Sequence, residues 1–192
     1  MIAIIDYGAG NLKSVENAFR FLGEETKIMN SAEEILAADR IVFPGVGSFG
    51  AMMKNLQEKN LETPIKQAIS KGTPFLGICL GLQVLFDESE ESPGVKGLSI
   101  FKGKVKKFRE GKVPEVGWNK IESKNQELLE NGYYYFVNSY YVEPEEKIAL
   151  STANYFREFV SSVQKENVLG VQFHPEKSGE QGIKFLERWL KC

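Results

Sequence analysis

The sequence predicts an α/β protein: one domain over residues 1–192, with a mixed, mostly parallel central sheet flanked by helices. Two observations carry this. In the first half, short apolar runs alternate with segments of helical period, punctuated by glycines and capping residues. In the second half, strand-like runs follow one another across short turns, and one amphipathic helix closes the chain. A chain of 192 residues can bury roughly 70% of its extended surface, so its core needs no disulfide or metal staple.

The elements follow in order. MIAIID is a buried strand. Asn11, after a glycine-rich turn, stands to cap a helix with Leu12, Val15, Ala18, Phe19 and Leu22 on one face, and Gly23 is placed to end it. TKIM and RIVF are short strands with a helix near residues 32–37 between them. Helices over about 49–58 and 61–71 follow, the second closed by Gly72. PFLGI is an apolar strand, and LGLQVLF after it reads as helix. SIFKGKVKKF, VGWNKI, YYYFVNSYYV, KIALSTA, FVSSVQ and VLGVQF are strands. Ser178 to Gln181 reads S-x-x-Q, a capping box opening the last helix, with Ile183, Leu186 and Leu190 as its buried stripe. DESEES at 87–92 reads as a solvated loop, and KGKVKKF as a half-exposed strand.

Composition excludes several classes. Twenty-six acidic residues against 24 basic ones leave a formal charge of −2, with no basic footprint for nucleic acid. Two cysteines, Cys79 and Cys192, make no disulfide framework and suit a reducing cytoplasm. The apolar start before Asp6 is too short for a signal segment, and no apolar run approaches a membrane span. The expectation is a cytoplasmic protein that binds neither nucleic acid nor membrane.

The chemistry begins at residues 77–81, GICLG. With cysteine for serine this is the G-x-S-x-G nucleophile elbow, a sharp strand-to-helix turn that exposes its central side chain at the top of a sheet. The flanking glycines let strand and helix pass without Cβ clashes, and a helix N-terminus favours thiolate. A free cysteine is often only a small buried hydrophobe, but the two glycines argue against that here. The chain's single histidine, His174, ends VLGVQF and is followed by Pro175 and Glu176. Proline pushes the residue before it to an extended conformation. Residues i and i+2 of an extended segment share a face, so Glu176 is placed to orient the imidazole. Cys79, His174 and Glu176 form the candidate triad.

PGVGSFG, residues 44–50, has the spacing G-x-G-x-x-G. A dinucleotide turn follows the first strand and has an acidic residue about 20 positions on. This loop follows the third strand, and the segment some 20 residues on, LETPIKQAIS, looks helical, so no dinucleotide is expected. An elbow nucleophile needs oxyanion donors instead. The Leu80 N–H is one, and the loop of Val46 and Gly47 can supply the other. Glycine on both sides of Val46 lowers the cost of turning one peptide, which would switch a donor on.

GICLGLQVLF together with GVQFHPE resembles the class I, triad-type glutamine amidotransferases. IDYGAGNLKSV, FPGVGSFG, SPGVKGLS, GWN, YYYFVNSYY and FHPEKS narrow the resemblance to the glutaminase subunits of imidazole glycerol phosphate synthase, over nearly the whole chain. The resemblance implies hydrolysis of the glutamine amide through a cysteinyl thioester. It implies a separate (βα)8-barrel cyclase partner that uses the ammonia in histidine biosynthesis, and no cofactor or metal. By it Cys79 is nucleophile, His174 base and then acid, and Glu176 its orienter. Val46, Gly47 and Leu80 match the oxyanion region; Gln83, Glu91, Asn138, Ser139 and Tyr140 match positions around the bound glutamine. Asn11 and Lys177 match the face that meets the cyclase. Two positions depart from the family pattern: Glu115 and Asn138 stand where histidines are common. The residues alone support a cysteine hydrolase or acyl-transfer enzyme and do not name glutamine. They leave open another ammonia-using synthase, such as one making pyridoxal phosphate, guanine nucleotide or anthranilate. A non-catalytic binding subunit and a self-sufficient cysteine hydrolase are the remaining alternatives.

Overall fold

The computed structural model describes residues 1–192. Strand β1 (Ile2–Ile5) leads to α1 (Leu12–Phe21), β2 (Thr26–Met29), α2 (Ala32–Leu36) and β3 (Arg40–Gly45). Then come α3 (Phe49–Glu58), α4 (Glu62–Ser70), β4 (Phe75–Cys79) and a single helical turn, α5 (Leu80–Gln83). The second half holds β5 (Glu88–Ser89), β6 (Gly103–Lys107), β7 (Glu115–Ser123), β8 (Gly132–Asn138) and β9 (Tyr140–Pro144). It continues through β10 (Ala149–Asn154), β11 (Glu158–Lys165), β12 (Val168–Val171), a 3-10 turn at Pro175–Lys177 and α6 (Gly179–Trp189).

The sheet is mixed, as predicted. Its main path runs β2-β1-β3-β4-β12-β11-β10-β7-β8. The strands from β2 to β12 are parallel, and helices cover both their faces. The path from β12 onward is antiparallel. A branch leaves β11 through β9 to β6 and β5. Ile2, Ile4, Val42, Leu76 and Ile78 face one core with Val15 and Phe19 of α1 and Phe185, Leu186 and Trp189 of α6. Ala3, Ile5, Ile41, Phe43 and Phe75 face the other, against Met52, Met53 and Leu56 of α3 and Ile65 and Ala68 of α4. Burial on both faces is why these strands are unbroken apolar runs. Each large side chain so buried contributes about 1.5–3 kcal/mol.

Five local expectations change. LGLQVLF is helical only over Leu80–Gln83. The carbonyls of Val84, Leu85 and Phe86 instead accept from the amides of Leu98, Ser99, Ile100 and Phe101. A returning segment thus replaces the next helical turn. Asn11 holds the N-cap position of α1 but makes no side-chain capping bond. The capping box of α6 does not form. Ser178 Oγ donates to the His174 carbonyl at 2.6 Å and accepts from the Tyr135 N–H at 3.0 Å, fastening one loop to a strand. The buried face of α6 is Gly182, Phe185, Leu186 and Trp189, with Trp189 packed edge-on against Phe19; Ile183 and Leu190 are only half-buried at the margin of that core. Finally, DESEES is more than a solvated loop. Glu88–Ser89 pairs with β6, and the Glu91 carboxylate and Ser92 hydroxyl accept from the Phe49 and Gly50 N–H groups. Those are orphan donors of the first turn of α3.

The backbones of β3 and α5 touch. A Cβ added to Gly81 would lie 1.8 Å from the Phe43 carbonyl oxygen. One on Gly77 would lie 2.8 Å from the Gly81 oxygen, and one on Gly45 2.6 Å from the Gly81 nitrogen. Gly81→Ala is therefore expected to destabilise by at least about 1–3 kcal/mol, the range for overpacking. A urea titration would read this as a lower midpoint at constant slope; an unchanged midpoint would mean that the two backbones are not in contact.

Candidate active site

Cys79 is the last residue of β4, with φ 56° and ψ −112°. A non-glycine residue there is strained by about 1–3 kcal/mol and persists only where its surroundings hold it. The three close-packed glycines supply that hold. With only four residues, α5 is too short for a full helix dipole.

Strand order brings the rest of the site to this turn. Gly45 is the register partner of Cys79 on one side, so the loop through Val46 and Gly47 starts beside the sulfur. On the other side Val171 pairs with Ile78. Gln172 follows, with its Nε2 3.6 Å from Cys79 Sγ. His174 lies two residues further, near enough that the sulfur acts on its ring electrostatically.

His174 Nδ1 is 2.8 Å from Glu176 Oε1. His174 is extended, as Pro175 requires. Glu176 does not continue that extended segment. The 3-10 turn of Pro175–Lys177 folds its carboxylate back onto the ring, so the pair meets through a turn and not across one strand face. The His174 N–H donates to the Tyr135 carbonyl at 2.9 Å, which fixes the ring's origin. Burial alone would lower the imidazole's pKa. The Cys79 sulfur and the Glu176 carboxylate outweigh burial and push it up to about 10. The setting thus favours the charged imidazolium.

These groups open into a cleft of about 300 Å³. Val46, Gly47, Cys79, Leu80, Gln83, Asn138, Ser139, Tyr140, His174 and Lys177 line it, with Pro114 and Val137. Gln83 Nε2 donates to the Tyr140 carbonyl at 3.2 Å and to Gln172 Oε1 at 3.0 Å. Asn138 Nδ2 donates to the same Tyr140 carbonyl at 3.0 Å. Three candidates lie outside the cleft lining: Glu176, behind His174, Glu91, which caps α3 directly after the Val46 loop, and Asn11, exposed before α1. A larger groove over β6 and β9 is lined by Glu88, Lys104, Lys106 and Glu143, paired with one another, and holds no nucleophile. No group of three or more His, Cys, Asp or Glu side chains is arranged to ligate a metal.

Two residues escaped the sequence reading. Gln172 bridges Gln83 and Cys79, and its signal was a glutamine ending an apolar run. Tyr7 is 1% exposed. Its hydroxyl accepts from the Val46 N–H and donates to the Val46 carbonyl, both at 2.9 Å. The Val46 N–H is therefore engaged away from the sulfur. The two glycines flanking Val46 also differ. Gly47, at φ +95° with open space around it, is where the loop has freedom; Gly45 is held by packing against Gly81 and Leu80.

The model of the class-I glutamine amidotransferase family matches residues 3–191. The chain belongs to this family. It is 48% identical to imidazole glycerol phosphate synthase subunit HisH of Methanocaldococcus jannaschii, covering all of this chain and 99% of that one. It is 47% identical to the subunit of the same name from Pyrococcus furiosus, over 99% and 98% of the two chains. Among solved structures, a crystal structure of a glutamine amidotransferase superposes with TM-score 0.81 at 19% identity, over 100% and 98% of the chains, a likeness of fold.

Because this amidotransferase-family chain has one histidine, its imidazole can be titrated by NMR without assignment. The His174 midpoint should lie well above the ordinary imidazole value of about 6.5, and Cys79→Ala should lower it, since the sulfur is the largest raising influence. A midpoint near 6.5 in the parent would rule out the ion pair.

Proposed function

We infer that this chain is the glutaminase subunit of imidazole glycerol phosphate synthase. It cleaves glutamine to glutamate and ammonia and delivers the ammonia to a cyclase subunit making imidazole glycerol phosphate. The observation that carries this is the buried Cys79–His174–Glu176 constellation at a strained elbow, in a chain that matches such subunits end to end. The setting is cytoplasmic on this reading; no helix is long and apolar enough to cross a membrane.

The Cys79 thiolate attacks the side-chain amide carbon of glutamine. The tetrahedral oxyanion collapses, the C–N bond breaks, and His174 gives its proton to the leaving nitrogen, releasing ammonia and leaving a thioester. Water then attacks the thioester while His174 takes its proton. The C–S bond breaks, and glutamate leaves with the thiolate and imidazolium restored. Glu176 holds the ring and stabilises its charged form, as a buried carboxylate does for imidazolium. The Leu80 N–H is one oxyanion donor. The Val46 N–H is the second once the Gly45–Val46 peptide turns and its N–H leaves Tyr7. Gln83, Asn138, Ser139 and Tyr140 bind glutamine along the cleft, and Glu91 acts on it through the start of α3. Lys177 and Asn11, both exposed, meet a cyclase of (βα)8-barrel fold. That partner, loaded with its own substrate, favours the turned loop by binding it more tightly.

In the complex with the cyclase, Cys79→Ala should abolish synthesis from glutamine and retain synthesis from added ammonia. Exposed Cys192→Ala should match the parent. Glutamine-dependent synthesis by Cys79→Ala would refute the assignment. Tyr7→Phe keeps the buried ring and removes both bonds to Val46. It should raise glutamine turnover of the isolated chain and shrink the stimulation by the loaded cyclase, toward the roughly 10²–10³-fold that one oxyanion donor is worth. Stimulation equal to the parent's would show that Tyr7 does not restrain the loop.

A further inference from the structure

Glu115 and Asn138 are register partners on the antiparallel pair β7 and β8. Directly opposed side chains of such a pair stand about 4.5–5.5 Å apart at Cβ. Both are buried, 3% and 5% exposed. Glu115 Oε1 accepts from Asn119 Nδ2 at 2.7 Å, and Asn138 Nδ2 donates to the Tyr140 carbonyl at 3.0 Å. That leaves Glu115 Oε2 and Asn138 Oδ1, each buried and without a partner. Turning the Asn138 amide over would set its oxygen against the Tyr140 carbonyl, so the network fixes its orientation. Two acceptor oxygens without a donor thus belong to side chains at one register position of the two strands. An ionised Glu115 would be a buried charge with no counter-ion, which is costly. One proton satisfies both oxygens.

We propose that Glu115 is held as the neutral acid and donates its Oε2 proton to Asn138 Oδ1, a proton-dependent brace that positions the 138–140 edge of the cleft. Glu115 is thus a positioning residue, acting through Asn138, whose amide shares the Tyr140 carbonyl with Gln83. The naming of glutamine as the cleft's occupant rests on the function proposed above; the brace itself does not.

The surroundings agree with a neutral acid. Burial pushes the carboxyl from 4.5 up to about 7, against a smaller opposing effect of Asn119. No charged group enters. Tyr133, Tyr134 and Tyr135 are the titratable side chains of β8, β10 has none, and Lys120 and Glu122 of β7 are exposed. His174, Glu176 and Lys177, reaching β8 through the His174 bond to Tyr135, do not act on the carboxyl. The folded chain holds this proton more tightly than the unfolded chain. Its stabilising effect is therefore full below pH 4.5 and is lost as pH rises through about 7. Above that the brace opens.

The test uses the complex with its cyclase. As pH passes through about 7, the parent's KM for glutamine should rise several-fold with kcat little changed. Glu115→Gln, which offers an N–H donor and cannot ionise, should lack that limb. Difference infrared spectra of the parent alone, below against above the same pH, should show the carbonyl band of a protonated carboxylic acid disappearing. A parent with no such band, and with the same pH dependence as Glu115→Gln, would overturn the brace. If the complex hydrolyses no glutamine, the functional reading fails, while the infrared band still decides the state of Glu115.

Discussion

The site depends on one backbone contact, the Phe43 carbonyl of β3 lying where any side chain at Gly81 would be. This contact presses α5 against β3 and allows the chain to leave β4 at a sharp angle. Cys79 then takes a positive φ that few non-glycine residues adopt. The strain is local, and the packing that offsets it is spread over two cores and three glycines. A cysteine held this way cannot relax back into the strand, so its sulfur stays at the cleft.

From that turn outward, the site is assembled by strand neighbours. β4 lies between β3 and β12. One neighbour ends in the Val46 loop, and the other runs into Gln172 and His174. The side chains of the candidate site are fixed by main-chain bonds more than by each other. The His174 backbone is tied to β8 through Tyr135 and to the head of α6 through Ser178. Gln83 and Asn138 converge on one carbonyl of Tyr140. Burial strengthens these hydrogen bonds and raises the cost of breaking any one of them.

Electrostatics in this cleft are sparse. The His174–Glu176 pair has side chains 7% and 2% exposed, and Cys79 is the other group acting strongly on the imidazole. A low-dielectric setting with few charges makes each proton count, which is why a neutral carboxyl beside Asn138 and an engaged Val46 amide both bear on the cleft. The surface carries the ordinary pairs, such as Lys184–Glu180 and Lys191–Glu187 one helical turn apart. Exposed pairs of that kind contribute little to stability.

The two-sided apolar runs, the glycines around Cys79 and the His-Pro-Glu segment were legible in the sequence because they obey local rules. Period, turn chemistry and the restriction before proline act over a few residues, and these marked the parallel sheet, the elbow and the candidate triad. What local rules miss is a partner supplied from far along the chain. LGLQVLF has a helical pattern, yet the amides of 98–101 took its carbonyls. Ser178 and Gln181 have the spacing of a capping box, yet Tyr135 and His174 took the serine hydroxyl. Tyr7 looked like one residue of a glycine-rich turn, and only the adjacency of β1 and β3 set its hydroxyl on Val46. The sequence alone determined which residues could do chemistry and which stretches were strand or helix. The tertiary structure decided which buried donors and acceptors meet, because a buried polar group must find a partner and only the folded chain determines which groups come within reach.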